Sequence, residues 1–209
     1  MHTVTVKENK QIADFSFILS FQRPFVFVPG QVIDIVRNGI RRIYSIVSGN
    51  EEEDVKILYK VNPSGKLTPT LAGLKAGDSI DISSPYGSFT HFFTHAMCIA
   101  TGTGIAPFAS EFFSDRWQEK TLIHGSRTLQ EFYFSDSFKR LNDKYIRCCS
   151  GEKREDVFYG RVTDYLAKIQ PDKKIMYYLC GNAEMVVDVR DLLIDKGISY
   201  DHIFAEIYF

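Results

Sequence analysis

Apolar and polar positions alternate in short runs over about the first ninety residues of the chain. Valine, isoleucine, phenylalanine and tyrosine recur within each run, and glycine, proline and asparagine separate the runs. The runs are FSFILSF, FVFVPGQVIDIV, RRIYSIVS, DVKILYKV and SIDISSP. Short strands at near-regular spacing are typical of an antiparallel β-barrel or sandwich. The segment LTPTLAGLKAG interrupts them and predicts a short helix that places Leu67, Leu71 and Leu74 on one face and ends at Gly77.

The pattern changes near residues 91–95, where apolar strand candidates begin to alternate with helical stretches. Five strands are predicted: AMCIATG, TLIHGS, YIRCCS, KIMYYLCG and HIFAEIYF. The helical stretches between them are IAPFASEFFSDRW, LQEFYFSDSFKRLND, GRVTDYLAKI and AEMVVDVRDLLIDKG. This alternation predicts a five-stranded parallel sheet with helices on both faces. The sequence therefore predicts two domains, over residues 1–93 and 94–209.

Composition excludes several classes of function. The chain has 209 residues and a net charge of -1, so nothing in the total charge points to nucleic acid or an anionic membrane. Its four cysteines form no CxxC pair, which argues against a zinc site or an iron–sulfur cluster made by this chain alone. The first residues lack the apolar core of a signal peptide, and no apolar run reaches membrane-spanning length. We therefore expect reduced thiols and a cytoplasmic protein.

The segment CIATGTGIAP, residues 98–107, is a candidate phosphate-binding turn. A strand ends at Thr101, Gly102 and Gly104 follow, and a helix is predicted from Pro107. Glycines let the backbone approach a phosphate closely, and a helix N-terminus presents N–H groups to it. Read alone, the segment is an ordinary turn between a strand and a helix; its place at the start of a βα series favours the nucleotide interpretation.

Four more segments are ambiguous when each is read alone. RRIYSIVS is either an exposed edge strand or a cofactor site. NPSGKLTPTL is either a capped helix start or a second phosphate loop, and YLCGNAEMV either caps a helix at Asn182 or lines a cleft. The terminal AEIYF packs at a sheet edge or covers a flat ring.

In this order, the segments resemble the ferredoxin–NADP reductase family of flavoproteins over nearly the whole chain. In the first ninety residues, Arg42-Ile43-Tyr44-Ser45 resembles the family's R-x-Y-S flavin motif, and Gly65-Lys66-Leu67-Thr68 resembles its second flavin loop. Pro85-Tyr86-Gly87-Ser88-Phe89 resembles the segment that closes the barrel. Further along, Gly102-Thr103-Gly104-Ile105-Ala106-Pro107 resembles the nicotinamide loop, and Cys180-Gly181-Asn182 with Met185 resembles the C-G-x-x-x-M stretch. The resemblance implies a flavin-binding β-barrel followed by a Rossmann-like nucleotide domain.

The resemblance also implies roles for individual residues. Arg42 binds a flavin phosphate, Tyr44 lies against the ring system or ribityl chain, and Ser45 lies near flavin N5. Strand alternation places Arg42 and Tyr44 on one face and Ser45 on the other, so we expect the strand to bend or end there. The other flavin phosphate contacts are expected from Gly65, Lys66, Leu67 and Thr68, and the nicotinamide nucleotide contacts from Thr103, Gly104 and Pro107.

The remaining implied roles concern the reacting rings. Cys180 and Glu206 are expected near the nicotinamide and flavin N5, and Tyr208 is expected to cover the flavin ring. Phe209 extends one residue further, and either of these two aromatics can be the one that stacks. The expected catalytic residues are therefore Ser45, Cys180, Glu206 and Tyr208.

Arg127 resembles a family arginine near the adenine ribose, and Gly160-Arg161-Val162 resembles another nucleotide-binding position of bacterial members; both favour NADPH. Ser150-Gly151, however, stands where many NADPH-using members carry Ser-Arg, and Lys153 or Arg154 are the residues that would compensate. NADPH is the preferred expectation and NADH the alternative. FAD is the expected flavin, and FMN remains open because the chain is short for the family.

The function implied is hydride transfer from NAD(P)H to flavin N5, followed by electron transfer to a ferredoxin or flavodoxin. The alternatives are an NADH-dependent reductase component of an oxygenase or a cytochrome b5-reductase-like enzyme, a flavin-binding module without turnover, and a non-redox binding protein. The sequence predicts neither nucleic-acid binding nor membrane insertion, and it leaves the oligomeric state open.

Overall fold

The computed structural model describes residues 1–208, and the chain folds into two compact units. The first unit comprises Met1–Thr90 with Ala106–Arg116, and the second comprises His91–Ile105 with the chain from Trp117 onward. The predicted boundary between residues 93 and 94 stays a prediction. No helix among the described residues is long and apolar enough to cross a membrane.

The first unit is an antiparallel sheet of six strands in the order β4-β3-β6-β1-β2-β5. The two outer strands meet, because Ile46 forms a bridge with Ile57 and Val47 N donates to Lys56 O at 2.8 Å. The sheet thus curls into the predicted barrel. Its strands are β1 His2–Ala13, β2 Ser16–Gln22, β3 Val32–Arg37, β4 Ile40–Ser45, β5 Asp54–Lys60 and β6 Ser79–Ile82.

Strand alternation fills the barrel. On β5, Val55, Ile57 and Tyr59 point inward at every second position and are buried. The segment from Phe25 to Gly30 forms no strand, although its composition is strand-like; Pro29 lies within it, and the Gln31 side chain accepts a bond from Val28 N at 2.9 Å.

Two helices belong to this unit: α1 Thr68–Ala72 and α2 Ala106–Phe113. The predicted leucines Leu67, Leu71 and Leu74 are all buried in the barrel core. The helix ends earlier than expected, at Gly73 rather than Gly77. The Asn9 amide donates to the carbonyls of Leu71 and Leu74, at 2.8 and 3.1 Å, and so ties down the end of the helix.

The second unit is a parallel sheet in the order β10-β9-β8-β7-β11-β12. It has six strands, not the predicted five, because the two-residue strand Phe158–Tyr159 pairs with Cys148 and Cys149. A strand of two residues is too short to produce a readable period. The strands are β7 Ala96–Thr101, β8 Lys120–Ser126, β9 Tyr145–Cys149, β10 Phe158–Tyr159, β11 Met176–Asn182 and β12 Ile203–Tyr208.

Helices α3 Ser135–Phe138, α4 Val162–Lys168 and α5 Ala183–Asp195 belong to this unit, with 3-10 segments at Gly102–Ile105, Leu129–Glu131, Lys139–Lys144 and Tyr200–His202. The predicted helical stretch between β8 and β9 is broken, because Phe134 and Asn142 adopt positive φ angles of 60° and 52°. The core packs α5 against the sheet through Val186, Val189 and Leu193.

Candidate cofactor and active site

The first candidate site residues lie on β4, which ends at Ser45. In the antiparallel register Tyr44 pairs with Ile33 and Arg42 pairs with Ile35. Ile33 and Ile35 both belong to the barrel core, so Arg42 and Tyr44 share the inward-directed face of the strand. Ser45 is buried on the opposite face. The strand end at this point is the feature that the sequence led us to expect.

Tyr44 carries a buried phenol without a partner. Among residues 1–208, no group hydrogen-bonds its hydroxyl, and its ring meets Tyr59 edge-on at 6.3 Å between centroids. Burial raises the pKa of Tyr44 to about 12, against the lowering effect of the Arg42 charge. A neutral phenol in this position needs an external acceptor, since an unsatisfied buried hydroxyl is costly. An oxygen of a bound flavin fits that requirement.

The two adjacent arginines of β4 are held differently. Arg41 lies 3.7 Å from the Asp34 carboxylate, which also accepts a bond from the Tyr86 hydroxyl at 3.1 Å. Arg42 is exposed and donates only to the Arg41 carbonyl, at 2.7 Å, within the part of the chain that the structure describes. Arg42 is therefore the cation available to a phosphate.

The candidate phosphate loop after β5 is a tight turn. Gly65 N donates to Asn62 O at 2.8 Å, and the Thr68 hydroxyl accepts from Asn62 N at 2.9 Å. Leu67 is buried in the barrel core, whereas Lys66 is exposed. Of the four residues expected to contact phosphate, Lys66 alone presents a charge, and the Thr68 hydroxyl already holds the turn.

In the second unit, the ends of β7 and β11 approach each other closely. A Cβ atom on Gly104 would lie 2.3 Å from the carbonyl oxygen of Cys180, and one on Gly181 would lie 2.3 Å from Thr101 Oγ1. Gly181 also has a φ of +154°. Side chains at both positions are therefore excluded, because the turn after β7 packs directly against the end of β11. This close packing lies at the carboxyl ends of parallel strands, where such sheets bind ligands.

Thr101 and Gly181 were not among the predicted site residues. Thr101 Oγ1 is buried without a partner among the described residues, beside Gly181. A hydroxyl residue that ends an otherwise apolar strand is the signal that would have identified Thr101. Thr103 is half-buried in the 3-10 turn, and Pro107 is the second residue of α2.

Neighbouring positions of β11 and β12 bring three predicted catalytic residues together. Cys180 pairs with Glu206, and Asn182 pairs with Tyr208, so these side chains share one face of the sheet. The Tyr208 side chain hydrogen-bonds the Cys180 thiol. Phe209, the alternative stacking aromatic, lies outside the described residues.

The electrostatics of this cluster keep the thiol neutral and bring the carboxyl to its titration range near pH 7. Burial, reinforced by the neighbouring Glu206, raises the pKa of the Cys180 thiol well above its usual value. Burial also raises the pKa of the Glu206 carboxyl to about 7, and Glu206 Oε2 has no partner among residues 1–208. The thiol is therefore not a thiolate nucleophile, while the carboxyl can hold or release a proton near pH 7.

The two arginines expected to bind the nicotinamide nucleotide lie on separate loops. Arg127 is exposed after β8, and its carbonyl accepts from Gly151 N at 2.9 Å. Arg161 precedes α4 and lies 3.6 Å from the Glu184 carboxylate, with both side chains exposed. Such an exposed pair contributes little stability, so Arg161 can exchange its partner for a ligand.

Two family descriptions match the chain. The oxidoreductase FAD-binding domain matches residues 3–91, and the oxidoreductase NAD-binding domain matches residues 98–191. Together they span most of the chain and coincide with the barrel and the parallel-sheet segments.

Individual proteins give a consistent result. The chain is 29% identical to the electron transfer subunit of dihydroorotate dehydrogenase B (NAD(+)) from Fusobacterium nucleatum, over 87% of this chain and 76% of that protein. It is 31% identical to the reductase component of propane 2-monooxygenase from Mycolicibacterium smegmatis, over 87% of this chain but only 59% of that protein. The fold is shared with a ferredoxin NADP+ reductase from Neisseria gonorrhoeae solved with FAD and NADP, at a TM-score of 0.90 and 21% identity over 100% of this chain and 98% of that one.

The matched domains, the two-sheet architecture and these relatives lead to one assignment. The chain carries an FAD-binding and an NAD-binding domain, and it belongs to the ferredoxin–NADP reductase-like family of NAD(P)H-dependent flavoprotein oxidoreductases.

Proposed function

We propose that this protein accepts reducing equivalents from NAD(P)H on bound FAD and delivers electrons to a separate redox protein, a ferredoxin or flavodoxin. The observation that carries the proposal is the Cys180–Glu206–Tyr208 cluster beside the glycine-lined ends of β7 and β11, with a neutral thiol and a carboxyl that titrates near pH 7. When bound, FAD supplies the chemistry that joins two-electron donors to one-electron acceptors.

The barrel residues supply binding and orientation. Arg42 offers a charge-assisted contact to a flavin phosphate, and the unpartnered Tyr44 hydroxyl donates to a flavin oxygen. Lys66 provides a further cation on the turn after β5. Ser45, buried at the end of β4, is the residue that we assign to the neighbourhood of the reacting flavin atom.

The strand-end residues of the second unit would position the nicotinamide. Gly104 and Gly181 are both buried, and they allow the turn after β7 to pack against the end of β11, since neither carries a side chain. Cys180 presents a neutral thiol fixed by Tyr208, and Glu206 exchanges a proton at Oε2 at pH values close to 7.

A second candidate is a reductase subunit of a multicomponent enzyme. It is favoured by the names of the two relatives described above, an electron transfer subunit and a reductase component. In that case the electron acceptor is a partner subunit instead of a diffusible ferredoxin. The four cysteines are buried and form no disulfide, which supports a cytosolic location for either function.

The test is an anaerobic absorption titration of the purified protein. Flavin bands that bleach on addition of NADH or NADPH, and return when oxidised ferredoxin or flavodoxin is added, support the proposal. Bleaching without reoxidation by either acceptor favours the subunit alternative. A flavin that neither nucleotide reduces contradicts both.

A further inference from the structure

We propose that the nucleotide site selects NADH over NADPH, and that Glu152 is the residue that rejects the 2′-phosphate. This inference rests on the proposed function, because it concerns the donor that reduces the flavin. It replaces the NADPH preference that the sequence favoured.

The loops that follow β8 and β9 form one surface at the carboxyl edge of the sheet. Ser150 N donates to Ser126 O at 3.1 Å, and Gly151 N donates to Arg127 O at 2.9 Å. The Cys149 thiol donates to the same Arg127 oxygen at 3.3 Å. Residues 150–152 are therefore fixed beside Arg127, at the edge where parallel sheets bind nucleotides.

This surface cannot hold a second cation at position 151. A Cβ atom on Gly151 would lie 2.4 Å from the Arg127 carbonyl oxygen, closer than a side chain tolerates. An arginine at this position would have to displace the backbone that joins the two loops. A pair of arginines clamping a phosphate is thus sterically excluded here.

The two cations that could compensate each have a partner within the chain, which a 2′-phosphate would have to displace. The Arg154 guanidinium donates to the Asp156 carboxylate at 2.9 Å, and Asp156 also pairs with Arg147. The Lys153 ammonium lies 4.7 Å from the centroid of the Tyr159 ring. Arg127 is left as the one exposed arginine next to Gly151 that has no side-chain partner among the described residues.

Glu152 places a fixed negative charge beside Arg127. Its Oε2 accepts a bond from Leu129 N at 2.9 Å, which anchors the carboxylate to the loop that carries Arg127. Oε1 remains able to accept from a ribose hydroxyl, because a carboxylate has acceptor capacity on both oxygens. A 2′-phosphate in the same place would meet a like charge and would bind more weakly for that reason, although solvent at this exposed site screens part of the repulsion.

The experiment measures binding and turnover of the flavin-loaded protein. Calorimetric titration compares ADP-ribose with 2′-phospho-ADP-ribose, which removes hydride transfer from the measurement. Steady-state assays with ferricyanide then give kcat and KM for NADH and NADPH. The variants are Glu152→Gln, which removes the charge, and Glu155→Gln, a matched control at an exposed position of the same loop.

We expect the unmodified protein to bind ADP-ribose at least about tenfold more tightly than 2′-phospho-ADP-ribose. Glu152→Gln should bring the two affinities within roughly threefold of each other. In the steady-state assays this change should appear mainly as a lower KM for NADPH. Glu155→Gln should keep the original ratio. Tighter binding of 2′-phospho-ADP-ribose than of ADP-ribose by the unmodified protein overturns the inference. A ratio of the two affinities that Glu152→Gln leaves unchanged also overturns it. In either case, flavin reduction by NADPH still supports the proposed function. Failure of every ligand to bind, with no flavin reduction, refutes the inference and the proposed function together.

Discussion

Removal of the Glu206 charge should stabilise the protein in a pH-dependent way. The carboxyl has a pKa of about 7 in the folded protein against 4.5 for an ordinary glutamate. Both states are protonated below pH 4.5, so full stability is present there. As pH rises towards 7 the unfolded chain ionises first, and stability is lost until the folded carboxyl ionises as well.

The difference between the two pKa values corresponds to about 3 kcal/mol at high pH. Because Glu206 is only partly buried, solvent screening lowers the expected value to about 1–2 kcal/mol. Glu206→Gln removes this cost. Its gain in unfolding free energy should be near zero at pH 4.5, grow through pH 5–7 and remain constant above pH 7.

Urea denaturation at several pH values between 5 and 8.5 measures this gain. Flavin occupancy must be equal in both proteins, because a bound ligand adds its own stabilisation. Glu155→Gln, at an exposed position, serves as the control and should show no such trend. If the difference in unfolding free energy between Glu206→Gln and the unmodified protein does not change across this pH range, burial does not raise the pKa of Glu206 as argued.

Two further substitutions test one residue in the barrel unit and one in the parallel-sheet unit. Arg42→Ala should weaken FAD binding in a fluorescence titration by roughly tenfold to a hundredfold, which is the value of a charge-assisted phosphate contact. Arg41→Ala is the control and should leave FAD binding unchanged, because the partner of Arg41 is Asp34. Equal losses of FAD affinity in the two variants would contradict the assignment of Arg42 to a flavin phosphate. Gly104→Ala should lower the unfolding free energy by about 1–3 kcal/mol, because its Cβ would lie 2.3 Å from a backbone oxygen. Gly73→Ala is the control in the same denaturation assay. Its unfolding free energy should not fall in this way, because no atom lies nearer than 3.6 Å to the added Cβ.

The fold followed from periodicity wherever burial alternated regularly. The strand β5 and the five long parallel strands were readable because their apolar residues face the core. The strand β1 was missed, since only Val4 and Val6 are buried along its twelve residues and the polar run after them carries no period. The strand β10 was missed because it has two residues and is defined by its pairing with β9.

The candidate site was less accessible to sequence reasoning, because its properties arise from approach between distant segments. Gly104 and Cys180 were each predicted, but neither residue type reveals that a Cβ on one would collide with the carbonyl of the other. The pKa of Glu206 depends in the same way on its burial in the edge strand β12. A motif identifies residue types, whereas contacts between strands determine the pKa of a side chain and the room available for a Cβ atom.

The adjacent arginines of RRIYS illustrate this limit most directly. In the sequence, Arg41 and Arg42 are equivalent, and only the resemblance selects Arg42. In the fold they point to opposite faces of β4, and Asp34 from the neighbouring strand lies close enough to pair with Arg41. Tyr86 donates to the same carboxylate and keeps that pair in place. The contact with Asp34 therefore explains why only one of the two arginines is available to bind a phosphate. For the same reason Arg41→Ala is the appropriate control, because it removes an arginine that pairs within the protein, whereas Arg42→Ala removes one that is available to a ligand.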